Sequence, residues 1–154
     1  MSTFELRRLG EEDVGWAGSL AAAAGFRSYR PGRLTKALED GEAFAALRAG
    51  RGLGFAVFGG VRPEVELHLL VVARPDRRCG VGRALLEHAH DALVARGHER
   101  VFLEVGETNR AARALYRSLG YVAVGRRPAY YPNGDAALIL SRDLPRTPVV
   151  DPNS

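Results

Sequence analysis

The run Leu69-Leu70-Val71-Val72-Ala73-Arg74-Pro75-Asp76-Arg77-Arg78-Cys79-Gly80-Val81-Gly82-Arg83-Ala84-Leu85 carries the densest chemical information in the chain. An apolar stretch of strand character leads into a turn with two glycines, and the turn leads into a helical pattern. The first N–H groups of a helix have no intrahelical acceptor, and with the helix dipole they attract anions. Glycine lets a ligand come close to the backbone. Arg74, Arg77, Arg78 and Arg83 add positive charge around the same turn. A plain strand-to-helix turn also uses glycine, but the arginines and the strand–turn–helix context point to a phosphate ligand. No Gly-Lys-Ser or Gly-Lys-Thr is present, so this is not a Walker A loop. A dinucleotide fingerprint would need a small residue where Leu85 stands. Glu104 does end the next strand, where an acid would hold a ribose, but the chain has only one strand–helix–strand unit of this kind.

Two further residues could move protons. In Val101-Phe102-Leu103-Glu104-Val105, strand alternation places Val101, Leu103 and Val105 on one face and Phe102 with Glu104 on the other. A carboxylate partly removed from water holds a proton more readily, which suits a general base near neutral pH. Tyr116 lies at the edge of the stripe made by Leu115, Leu119 and Ala111 or Ala112, where a phenol can point into a cleft. Taken alone, each has a simpler reading: a glutamate on a solvated sheet face, and a ring resting on the core. Arg110, Arg113 and Arg117 share one helical side, which reads as a face toward water.

His68, His88, His90 and His98 show no metal spacing with one another or with a cysteine, and read as surface or structural groups. No metal site is expected. Cys79 has no histidine base beside it in sequence, and no Ser-His-Asp arrangement is readable.

The elements that must position these residues alternate between strand and helix, the pattern of an α/β or α+β layered fold. Strands are expected at 4–9, 43–48, 54–58, 65–72, 101–105, 121–125 and 136–140. Residues 43–48 and 54–58 read as a hairpin across Ala49-Gly50-Arg51-Gly52. The strand at 65–72 ends in a continuous apolar run and is expected to be buried on both faces. Helices are expected at 11–24, 31–38, 82–96 and 111–119. Leu85, Leu86, Ala89, Ala92 and Leu93 form the buried stripe of the third helix, and Gly97 closes it. Asn109 or Thr108 caps the fourth, and Gly120 follows its end.

The whole chain has 154 residues, enough for one domain with its own core. Hydrophobic residues are 46% and charged residues 26%, which excludes overall disorder. The net charge is +4, and Lys36 is the only lysine among 22 basic residues. Arginine suits phosphate through its planar fork, so the charge permits a polyphosphate or nucleic-acid partner without demonstrating one. Cys79 is the single cysteine, no apolar run reaches the ~20 residues of a membrane span, and the start of the chain has no signal-peptide core. The expectation is a cytoplasmic protein with no membrane partner.

Together these segments resemble the GNAT family of acetyl-CoA-dependent N-acetyltransferases. The family signature Arg/Gln-x-x-Gly-x-Gly/Ala stands as Arg77-Arg78-Cys79-Gly80-Val81-Gly82. Within the family the chain is most similar to the RimI-type ribosomal-protein alanine N-acetyltransferases. That likeness rests on Gly82-Arg83-Ala84-Leu85-Leu86-Glu87-His88, and on Leu103-Glu104-Val105 with Asn109. It continues through Ala114-Leu115-Tyr116-Arg117-Ser118-Leu119-Gly120-Tyr121, Arg126-Arg127-Pro128-Ala129-Tyr130-Tyr131-Pro132 and Asp135-Ala136. It covers about residues 67–144. The chain departs from the family at Ala73-Arg74-Pro75, at Cys79, in the short stretch Tyr131–Asp135, and at Phe26–Pro31.

The resemblance implies a twisted, mostly antiparallel mixed sheet with splayed central strands and helices on both faces. It implies one domain over 1–144 and a flexible tail over 145–154. Acetyl-CoA would be the cosubstrate. The backbone of Leu70, Val71 and Val72 would pair with the pantetheine arm. The turn Arg77, Arg78, Cys79, Gly80, Val81, Gly82 and Arg83 would cradle the pyrophosphate. Asn109 and Tyr116 would also contact the cofactor. Glu104 would be the general base and Tyr116 the general acid, with Tyr130 and Tyr131 at the acceptor. The acceptor implied is a protein N-terminal α-amine, such as the N-terminal alanine of a ribosomal protein. A lysine side chain or a small amine, such as a polyamine or aminoglycoside, would serve the same chemistry. A non-catalytic acyl-CoA sensor, or an RNA- or ribosome-binding module, would need neither Glu104 nor Tyr116.

Overall fold

The computed structural model describes residues 4–26, 31–40, 42–77 and 79–145. In chain order the elements are β1 (Glu5–Arg8), α1 (Val14–Ala23), α2 (Pro31–Asp40), β2 (Ala43–Arg48), β3 (Arg51–Gly59), β4 (Glu64–Val72), α3 (Val81–Ala95), β5 (Arg100–Gly106), α4 (Arg110–Ser118), β6 (Val122–Arg127) and β7 (Ala137–Asp143). Single 3₁₀ turns precede α1 at Glu11–Asp13 and α3 at Arg74–Asp76. Every pairing described between strands within a unit is antiparallel. The mixture of helices with a mostly antiparallel arrangement is the fold class expected from the sequence. Among the described residues no helix is long and apolar enough to cross a membrane.

The chain divides into two compact units, Met1–Gly59 with Glu66–Ala89 and Gly60–Val65 with His90–Ser154. In the first, β1, β2, β3 and β4 lie side by side in that order. Its core gathers Leu9, Ala17, Ala21, Leu34, Phe55 and Val71 with other buried residues of β2 to β4. Trp16 meets Phe55 edge to face at 6.1 Å. A buried ion pair fastens the entry to α1. Asp13 accepts from both Nη atoms of Arg7, at 2.6 and 3.0 Å, from the Gly10 N–H at 2.7 Å and from Trp16 Nε1 at 2.9 Å.

In the second unit the order is β5, β7, β6. Val101, Leu103 and Val105 are buried while Phe102 and Glu104 are half-buried, the alternation expected of β5.

Three local expectations change. The β2–β3 connection is a two-residue turn, Ala49-Gly50, because Arg48 pairs with Arg51 and both turn residues have positive φ, 49° and 78°. That geometry matches the twist of the flanking strands, so Arg51 and Gly52 join β3. The helix expected at 11–24 begins instead as the 3₁₀ turn at Glu11–Asp13, where Asp13 turns inward to Arg7. The end of β4 is not buried on both faces: Leu70 and Val72 are half-buried, because they stand opposite the small Ala56 and Gly54 of β3. Of the expected tail, residues 146–154 lie outside the described residues, as does 27–30.

Candidate active site

In the first unit β4 runs into a tight turn that delivers the chain to α3. The Ala73 N–H donates to Leu53 O at 2.7 Å, and Asp76 N–H to Ala73 O at 2.9 Å. Arg77 returns its Nε to Val72 O at 3.2 Å, tying the turn to the end of β4. Asp76 is buried, with Arg51 3.5 Å from its carboxylate. Cys79 is exposed, its Sγ 3.7 Å from Arg77 O, and Arg78 lies outside the described residues.

Gly80 sits at φ +81°, a conformation that a side chain strains, and its carbonyl accepts the Ala84 N–H at 3.0 Å. It therefore caps α3, at the end where a helix's first N–H groups have no acceptor in its own ladder. Val81 is buried and anchors this first turn, and Leu85, Leu86, Ala89 and Leu93 bury the stripe behind it. The Arg77 and Arg83 side chains are exposed, and Arg83 lies 3.3 Å from Glu87. Backbone donors, a helix dipole and flanking guanidiniums are a donor set that fits a phosphate, and the only nearby acid in the turn, Asp76, faces Arg51. Leu70, Val71 and Val72 lead straight into it.

In the second unit Glu104 stands on β5 opposite Ile139 of β7, with its side chain 26% exposed. Arg127, on β6, places Nη1 3.6 Å from Glu104 Oε1. The same guanidinium lies over the Tyr130 ring at 5.5 Å. Tyr130 is exposed and meets Tyr131 edge to face at 5.1 Å. Asp135 braces the loop after β5, accepting from Thr108 N–H at 3.2 Å and Thr108 Oγ1 at 2.9 Å. Its carbonyl takes the Tyr131 N–H at 3.1 Å. Asn109 is the N-cap of α4, its Oδ1 accepting the Ala112 N–H at 3.2 Å. Arg113 donates to Glu107 O at 2.8 Å rather than facing only water.

Tyr116 projects from α4 into the interior of this unit and is buried. Burial, then the nearby Tyr131, pushes its hydroxyl up to about 12. Tyr131 is half-buried, and its hydroxyl is raised by burial and then by the charge of Glu104. Tyr131 thus stands in the field of Glu104 and bears in turn on the Tyr116 hydroxyl. The sequence singled out all three. It did not single out Arg127 or Asp135 beside them, although Arg126-Arg127 and Asp135 stand among the motif residues. Among the described residues no group of His, Cys, Asp and Glu is arranged to hold a metal ion.

The first unit thus carries a turn whose donors fit a phosphate, and the second carries half-buried Glu104 on β5 and buried Tyr116 on α4. The family model described as "Acetyltransferase (GNAT) family" matches residues 9–121, so the chain belongs to that family. The Escherichia coli K12 [ribosomal protein bS18]-alanine N-acetyltransferase is 41% identical over 92 residues, 60% of this chain and 62% of that protein. The match therefore spans about three-fifths of that relative's length. The Mycobacterium tuberculosis N-alpha-acetyltransferase RimI is 43% identical over 81 residues, 52% of this chain and 49% of that protein. The crystal structure of the E. coli ribosomal-protein-S18-alanine N-acetyltransferase superposes with TM-score 0.82 at 31% identity, covering 97% of this chain and 99% of that one. Ard1 from Thermoplasma volcanium has the same fold, with TM-score 0.85 at 23% identity over 94% and 100% of the two chains.

Proposed function

We propose that this chain transfers an acetyl group from acetyl-CoA to the N-terminal α-amine of a protein. The observation that supports the reading is a half-buried carboxylate, Glu104 on β5, and a buried phenol that keeps its proton, Tyr116 on α4, in the same unit of the fold. Family membership supplies the donor, and the names of the relatives point to an N-terminal alanine, with a ribosomal protein as the implied partner.

In this reading Val81, Gly82 and Arg83 bind the pyrophosphate through their N–H groups, with Arg77, Arg78 and Cys79 completing the turn. The backbone of Leu70, Val71 and Val72 holds the pantetheine arm, and Asn109 adds a contact to it. Tyr130 and Tyr131 line the acceptor. An amine is mostly protonated near neutral pH, and only its free form attacks a carbonyl. Glu104, directly or through a water, takes the proton. The amine nitrogen then bonds to the thioester carbon and the carbon–sulfur bond breaks. Tyr116 gives its proton to the departing sulfur and is reprotonated by the second proton that the nitrogen sheds as the amide forms; no bond to the enzyme forms, so Cys79 has no covalent role. The single domain over 1–144 and a cytoplasmic setting complete the proposal.

The test is thiol release from acetyl-CoA against peptides beginning with Ala, Ser and Met, an N-blocked lysine peptide and a polyamine. Turnover confined to free N-termini supports the reading. Turnover only with the lysine peptide or the polyamine moves the acceptor. Acetyl-CoA binding without any turnover indicates a sensor, and no binding removes the acetyltransferase reading.

A further inference from the structure

The C-terminus of α4 and its surroundings form a closed set of contacts around Tyr116. Gly120 lies at φ +88°, just beyond the helix, where a side chain would be strained. Its N–H donates to Arg117 O at 3.0 Å, and the next N–H, that of Tyr121, donates to Tyr116 O at 3.0 Å. This is a Schellman cap, and its usual side-chain contact is present as the Tyr116 and Tyr121 rings meeting edge to face at 5.7 Å. Tyr121 is thus tied to Tyr116 by both backbone and ring.

Tyr121 is in turn held from outside the helix. Its hydroxyl lies 2.7 Å from His90 Nε2, and the opposite ring nitrogen, Nδ1, lies 2.6 Å from Arg142 Nη1. Arginine can only donate, so Nδ1 accepts and the imidazole carries its proton on Nε2, toward Tyr121. His90 and Tyr121 are both buried. Arg142 also lies along Gly120, its Nε 3.8 Å from where a Cβ there would stand. Tyr121 is thus held by His90 of α3 and by the α4 cap, and His90 is held in turn by Arg142 of β7.

We propose that His90, Tyr121 and Arg142 are positioning residues that hold the Tyr116 ring in place for proton delivery. The proposal rests on Tyr116 being the general acid. A largely buried chain of directed hydrogen bonds costs side-chain freedom that ordinary apolar packing would not require; it ends on the Tyr121 hydroxyl, and the Tyr121 ring in turn packs against Tyr116. A proton donor misplaced by about 1 Å can lose on the order of 100-fold in rate.

The test is a double-mutant cycle in the full chain with the most active peptide of the acceptor panel. Tyr121→Phe keeps the ring and the cap but loses the tether to His90. It is expected to lower kcat by about 5- to 50-fold while leaving KM for acetyl-CoA and peptide unchanged. Tyr116→Phe lowers kcat by itself, and adding Tyr121→Phe to it has no further effect, because there is no longer a proton donor to position. His90→Gln, which can both donate and accept, retains more activity than His90→Leu. Wild-type kcat in Tyr121→Phe, or effects of the two tyrosine changes that multiply, overturns the positioning role alone. Wild-type kcat in Tyr116→Phe overturns the acid role and the positioning role with it. A readout independent of turnover is the ring NMR signal of labelled Tyr116. Tyr121→Phe should make its ring flips faster, and unchanged flipping counts against the proposal.

Discussion

The Arg127 guanidinium stands 3.6 Å from the Glu104 carboxylate and packs over Tyr130 at 5.5 Å, so a residue on β6 links the carboxylate on β5 to an exposed aromatic ring. Glu104→Gln keeps the shape of the side chain and removes its ability to take a proton. Turnover is expected to fall about 100-fold or more, with acetyl-CoA affinity unchanged. Arg127→Gln leaves the carboxylate in place and is expected to cost less than about tenfold, since the pair is open to water. Steady-state kinetics with isothermal titration checks both. Wild-type turnover in Glu104→Gln removes the base assignment.

Burial pushes the Tyr116 hydroxyl up to about 12, so the phenol keeps its proton through the neutral and mildly alkaline range. An ordinary tyrosine would begin to lose it near pH 10. The kcat profile of the wild-type enzyme is therefore expected to show no alkaline fall assignable to Tyr116 below about pH 11. A fall near pH 9 that disappears in Tyr116→Phe would contradict this.

In the proposed reading, the first turn of α3 can take an anion only while its N–H groups are open. Gly82→Trp fills that space and is expected to abolish acetyl-CoA binding without unfolding the chain. Arg83→Ala removes one exposed guanidinium and is expected to weaken binding by about 2- to 10-fold, less at high salt. Titration calorimetry with acetyl-CoA at two ionic strengths reads both, and unchanged affinity in Gly82→Trp refutes the assignment of this turn.

Two buried groups make stability fall with acidity in separate windows. Burial lowers His90, and the charge of Arg142 lowers it further, to about 4. The unfolded chain takes up that proton near 6.5, so stability is full above that value and is lost as pH falls from about 6.5 to 4. Burial alone would raise the Asp13 carboxyl, but hydrogen bonds from Arg7, Gly10 and Trp16 outweigh it and hold it below the ordinary range. That contribution is present above about pH 4 and is lost as pH falls through the lowered folded value. Urea midpoints over a pH series should lose the upper slope in His90→Gln and the lower one in Asp13→Asn. Asp13→Ala is also expected to lower stability near neutral pH by about 2–3 kcal/mol, the sum of its lost hydrogen bonds.

The local structure around the candidate site residues is legible in the sequence where it depends on near neighbours. Gly80 and Gly82 announce the turn because a strand pattern precedes them and a helix pattern follows. Glu104 follows from the alternation of β5, and Asn109 from its place before α4. What the sequence hid depends on register across β5, β7 and β6. Arg127 reaches Glu104 only because Ala137 and Ile139 of β7 place the two outer strands on one face. Arg142 meets His90 across 52 residues, and no periodicity reports such a pairing. The clasp of Asp13 on Arg7 was also invisible, since an acid in a first helical turn ordinarily faces water. The turn at Ala49-Gly50 was read too long because Ala49 adopts a positive φ that alanine rarely takes.

Cys79 is the single cysteine of the sequence, and it is exposed in the turn that opens α3. A thiol-reactive fluorophore would therefore attach at one known place, without any engineered residue, beside the N–H groups assigned to the pyrophosphate. Its labelling rate, slowed when the turn is covered, makes donor occupancy visible directly. The chain thus carries its own reporter, one that distinguishes an idle loaded protein from an empty one before any acceptor is known.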